Sequence, residues 1–114
     1  MEKFKLKTQI MIDGNMASEL PYDFDGLTAR DKLNAGKKLK AAGFNGTYQE
    51  VDPDYHFFIF VEAVIKADSN ITEQDMFRMG MKDAVEASNL VRNFFFITLE
   101  DSSQTTTSEE QQPK

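Results

Sequence analysis

Phe4 to Phe24, reading FKLKTQIMIDGNMASELPYDF, decides how the rest of the chain must fold. Phe4, Leu6, Ile10 and Ile12 alternate with Lys5, Lys7, Gln9 and Met11, the period-two signature of a half-buried strand, and Asp13-Gly14-Asn15 follows as a turn. A second strand is expected from Met16 to about Phe24, with Met16, Leu20, Tyr22 and Phe24 on one face. A loop of only Asp13-Gly14 would set Ile12 opposite Asn15 and turn the two apolar sets to opposite sides of the ribbon. The expected hairpin therefore has a three-residue loop, Asp13 to Asn15, pairing Ile12 with Met16 and Leu6 with Tyr22, with Asn15 in the left-handed conformation.

A hairpin cannot cover its own apolar face, and the residues after it supply helices. Thr28 stands three positions before Asp31, a capping box with a shorter acid, and Gly43 provides the stop, so a helix is expected over about 29–42. Asp52-Pro53 gives an N-cap followed by proline at the first helical position, which makes 54–67 the next helix despite its β-leaning composition. Phe57, Phe58, Ile59, Phe60, Val61, Val64 and Ile65 leave it apolar nearly all round, as suits the main helix of the core. Between these two helices, Phe44 to Val51 reads as a loop or short extended piece. Thr72 caps a further helix that carries Met76, Phe77 and Met79 before Gly80 breaks it. A restart at Asp83 brings Ala84, Ala87, Ser88, Val91, Phe94 and Phe95 onto one stripe. The fold class is α+β: an N-terminal β-hairpin, then a small bundle of three to four helices.

After Leu99 the apolar residues stop. Glu100 to Lys114 contains no Ala, Val, Ile, Leu, Met, Phe or Tyr, so it cannot bury enough surface to offset the ordering of the chain. The domain is expected to cover 1–99, and 100–114 to be a disordered acidic polar tail. With 114 residues the core is modest and one domain is expected. Of the net charge of −6, half falls in the tail, which holds Glu100, Asp101, Glu109 and Glu110 against Lys114. An acidic chain repels phosphate backbones, so nucleic acid is not an expected partner. The absence of cysteine removes disulfides, thiolate catalysis and cysteine-based zinc sites. Charges at Glu2, Lys3, Lys5 and Lys7 interrupt any leader, and the longest apolar run, Phe57 to Val61, is far too short to span a bilayer. The expectation is a cytoplasmic protein with no membrane partner.

The chemistry-bearing residues are few. His56, the single histidine, lies in the most apolar segment, with no nucleophile elbow or glycine-flanked serine elsewhere to use it as a base. Asp52, Asp54 and His56 alternate, but a calcium loop needs more oxygens and a central glycine, and zinc needs more His or Cys. Gly43-Phe44-Asn45-Gly46 lacks the strand before it and the Lys-Ser or Lys-Thr after it that a phosphate loop requires. Lys32, Lys37, Lys38 and Lys40 read as a solvated helix face, or otherwise as a patch for an acidic partner. No catalytic, cofactor or metal residue is expected, and the chain reads as a non-enzyme. Phe94, Phe95 and Phe96 remain: consecutive helical positions turn by about 100°, so one of them must point away from its own core. They read either as a helix end covered by the hairpin or as an exposed aromatic patch for a partner.

Taken in order, these motifs resemble the tail assembly chaperones of long-tailed bacteriophages, especially the short Mu-like members. Lys5-Leu6 through Ile12-Asp13-Gly14-Asn15 to Leu20 is similar to the family's opening hairpin, and Leu27-Thr28-Ala29-Arg30-Asp31 to the start of the helix that follows. Ile71 to Met76, Met79-Gly80-Met81-Lys82-Asp83 and Val91-Arg92-Asn93-Phe94-Phe95 are similar to its terminal helices, so the resemblance covers about 1–97. The resemblance implies a non-enzymatic assembly factor, absent from the finished virion, that coats the tape-measure protein, brings in tail-tube subunits, self-associates and works in the host cytoplasm. In many such phages a frameshift adds a second domain that contacts the tube protein, and the polar residues after Ile97 would fit a linker to it.

The expected partner-binding residues are Met79, Met81, Phe94, Phe95 and Phe96, where methionine supplies an adaptable surface, although the two methionines also suit the core. The alternative is a structural virion component such as a head-tail connector or tail-completion protein. A small enzyme or ligand carrier would instead need a pocket with perturbed titratable groups around His56.

Overall fold

The computed structural model describes residues 2–43 and 49–107, with side chains described as far as Phe96. It has an antiparallel hairpin of β1 (Glu2–Ile12) and β2 (Asn15–Tyr22), followed by α1 (Ala29–Ala41), α2 (Pro53–Ala67), α3 (Glu73–Met76) and α4 (Met81–Thr107). The α+β class, a hairpin before four helices, is as the sequence predicts.

The hairpin loop differs from the expected one. It has two residues, Asp13 (φ 50°) and Gly14 (φ 82°), and Ile12 pairs with Asn15, Met11 with Met16 and Ile10 with Ala17. Two successive left-handed residues match the twist of the flanking strands, and Asp-Gly is among the pairs that adopt them most readily. The conflict with the apolar pattern is resolved further down the ladder, where the register shifts between Lys5 and Ile10. Four residues of β1, Leu6 to Gln9, and one of β2, Ser18, fall between the two paired stretches, and below them Lys5 meets Glu19 and Phe4 meets Leu20. This odd excess in β1 changes which residues share a face. Ile10 is buried near the tip, Phe4, Leu20 and Tyr22 are buried at the base, and the Met11–Met16 pair faces out.

Local signals place the helices. Thr28 and Asp31 form the reciprocal capping box of α1, Thr72 and Asp75 that of α3, and the Asp52 carboxylate accepts from the Asp54 and Tyr55 amides above Pro53. Gly43, at φ 109°, follows the end of α1. A single 3-10 turn covers Gln49–Val51, while the rest of the expected loop, 44–48, lies outside the described residues. The core is built on α2, whose Phe58 to Val64 are all buried. The Phe60 ring meets Phe4 edge-on at 5.1 Å and lies 5.9 Å from Tyr22, tying the main helix to both strands. Helices α1 and α4 pack against α2 as well.

The α4 backbone is described as far as Thr107. The rest of the tail, 108–114, lies outside the described residues.

Candidate functional site: an aromatic groove beside an acidic pocket

Near the end of its described side chains, α4 carries Phe94, Phe95 and Phe96, each half-buried and each turned to a different neighbour. Phe94 packs on Phe24, just beyond β2, at 4.7 Å between ring centres. Phe95 meets His56 edge-on at 5.5 Å and Tyr55 at 6.5 Å. Phe96 lies under the Arg92 guanidinium at 5.3 Å, a cation–π contact one turn back along the helix. The three phenylalanines, with Phe24, Leu27, Tyr55 and Ile59, line a groove of about 460 Å³. Polar groups sit at its rim, among them Asp31, Lys32 and Glu50.

Two buried polar residues fix the groove from beneath. His56 donates its Nε2 proton to the Glu50 carbonyl oxygen at 2.6 Å, holding the 3-10 turn against α2 while its ring supports Phe95. Tyr55 is 1% exposed, and its hydroxyl has no hydrogen-bond partner among the described residues. Burial, with the Glu50 carboxylate nearby, pushes its pKa up to about 12, so the group is a neutral phenol at ordinary pH.

A second concavity, about 840 Å³, adjoins the groove and shares Phe24 and Phe94 with it. Its walls are different in kind: Glu2, Asp23 and Asp25 bring three carboxylates to it, beside Tyr22, Leu90 and Asn93. Asp23 accepts from the Gly26 amide at 3.0 Å, and none of the three carboxylates forms an ion pair among the described residues.

The expected partner-binding residues fall into three environments. Phe94, Phe95 and Phe96 line the groove. Met79 is buried in the core, and Met81, 82% exposed, sits about 20 Å back along α4 at 1.5 Å per residue. There Met81 joins Phe57, Ala84 and Val85 around a separate hollow of about 450 Å³. Among the lysines of α1, Lys38 turns inward between Glu62 (2.7 Å) and Glu73 (3.3 Å). Burial alone would lower its pKa, but hydrogen bonds and charge from the two glutamates raise it, so the ammonium stays charged. Lys32 pairs with Glu50.

Asp83 has a larger part than its sequence position suggests. Expected only as a favourable charge at a helix start, it is 1% exposed and accepts from the Lys7 amide (2.9 and 3.1 Å) and the Thr8 amide (3.1 Å). It thus satisfies the backbone that the register shift in β1 leaves without ladder partners, and Lys7 and Glu86 close an ion pair over it. No sequence signal links positions 76 residues apart; an acid next to a helix break was the only visible clue.

Among the described residues there is no group of three or more His, Cys, Asp or Glu able to hold a metal ion, and no helix is long and apolar enough to cross a membrane. What the arrangement can do is hold another apolar surface, with carboxylates at one end to orient it. No protein-family model, curated protein or solved structure matches this chain.

Proposed function

We propose that this protein is a non-enzymatic assembly chaperone that holds an apolar client segment in the Phe94–Phe96 groove. The observation that carries the proposal is the groove itself: three consecutive phenylalanines of α4, half-buried and lined up with Phe24, Leu27 and Ile59 around an open apolar concavity. Concave apolar surfaces with aromatic anchors are where binding energy concentrates. The sequence resemblance to phage tail assembly chaperones supplies the client, the tape-measure protein, and a role in recruiting tail-tube subunits in the host cytoplasm as a homo-oligomer. The exposed hollow at Met81 and Val85 is a second apolar surface, available to another subunit.

The test is co-expression with the tape-measure protein encoded in the same genome. The expected result is a rise in soluble client that co-purifies with the chaperone, and absence of the chaperone from purified particles. An insoluble client in both conditions overturns the reading, and recovery of the protein from finished particles favours a structural virion component instead.

A further inference from the structure

The geometry points to a client segment of defined chemistry: an amphipathic helix whose apolar stripe fills the groove and whose flanking Lys or Arg side chain, one turn away, enters the acidic pocket. This rests on the chaperone reading and specifies what that reading leaves open. The apolar groove and the pocket with Glu2, Asp23 and Asp25 share the Phe24 and Phe94 rings as a common wall, so a ligand lying across that wall meets both. On a helix, residues three or four apart are neighbours on one side, so a single element presents an apolar stripe and a flanking basic side chain together. Charge complementarity selects the partner's sign: the three carboxylates form no internal ion pair among the described residues, whereas Lys32 at the far rim is engaged by Glu50 at 3.6 Å. Phe24 and Phe94 add aromatic faces beside those carboxylates, a surrounding that favours a guanidinium.

In this arrangement the acidic pocket orients the bound segment and the phenylalanines supply contact area.

The experiment uses the full chain and two arms. In the first, fluorescein-labelled helical peptides of about 16 residues carry Leu and Phe on one stripe and either Arg or Glu beside it, and binding is read by anisotropy. The expected result is binding of the Arg peptide about tenfold tighter than the Glu peptide, with the preference lost in the Glu2→Gln/Asp25→Asn double variant and all binding lost in Phe96→Asp. Equal affinity for the two peptides, a preference that survives the double variant, or binding of neither peptide overturns the inference. In the second arm, the wild type and double variant are each co-expressed with the tape-measure protein. Client rescued by the wild type but not by the double variant supports the inference, and equal rescue by both overturns it while leaving the chaperone reading intact. Rescue by neither, with the Arg preference present in the first arm, overturns the chaperone reading alone. Sedimentation of the protein alone provides the last control: self-association abolished by Phe96→Asp would assign the groove to a second copy of this chain and overturn the inference.

Discussion

At the scale of single residues, Asp83 joins the two halves of the molecule. Its carboxylate takes the amides of Lys7 and Thr8, and its own position in the first turn of α4 is one where negative charge is favoured. Asp83→Ala leaves the part-buried Lys7 and Thr8 amides without this acceptor, and the expected loss is about 1–3 kcal/mol of stability, measured by urea unfolding. A loss within experimental error of zero would mean that water replaces the carboxylate. Of all the polar residues, the capping ones were the most legible in the sequence. Thr28, Asp52 and Thr72 cap by bonds spanning two or three positions, so a short window contains both partners. Asp83 and Tyr55 were not legible in that way, because their roles depend on which backbone and which cavity the tertiary fold brings to them.

At the scale of elements, the same distinction separates the helices from the hairpin loop. Helix periodicity and caps are local, so α1 and α2 fall close to their expected bounds. The hairpin loop is decided by a competition between its own turn chemistry and the apolar register of both strands. Asp13-Gly14 takes the two-residue turn, and the register shift between Lys5 and Ile10 absorbs the mismatch, a solution a regular ladder cannot express. The partner residues separate in the same manner: Phe94 to Phe96 were visible as a cluster in sequence, whereas only packing could send Met79 inward and leave Met81 exposed at another place on α4. Helix α2 joins the hairpin to the bundle through Phe60, which is fully buried between Phe4 and Tyr22. Phe60→Ala should cost about 3–5 kcal/mol, read as a lower urea midpoint with an unchanged slope. If the slope falls as well, the hairpin is detaching before the rest of the molecule.

At the scale of the whole molecule, two carboxylates contribute to the response to acid. In Asp75, the Thr72 amide and then the Arg78 guanidinium hold the pKa below the ordinary aspartate value. In Asp31, burial pushes the pKa up, but the Thr28 amide and hydroxyl and the Lys66 ammonium outweigh it and the net shift is down. Lowered pKa values in the folded state mean that the unfolded chain binds protons first as pH falls, so their contribution is complete above about pH 4 and disappears progressively below it. At the alkaline end Tyr55 has the opposite sign: its folded pKa of about 12 lies above the ordinary value of 10.0, so stability should fall as pH rises between them. Thermal unfolding followed from neutral pH toward both extremes checks this, and a melting temperature unchanged down to the folded pKa of either aspartate would contradict it.

The groove between the hairpin end, α2 and α4 is the feature on which the functional account depends. Hydrogen exchange read by mass spectrometry, on the full chain with and without the tape-measure protein, tests it without altering a residue. Client binding should slow exchange at the amides of 24–32 and 90–96. No change in those segments, or protection confined to the surface around Phe57, Met81 and Val85, would contradict it.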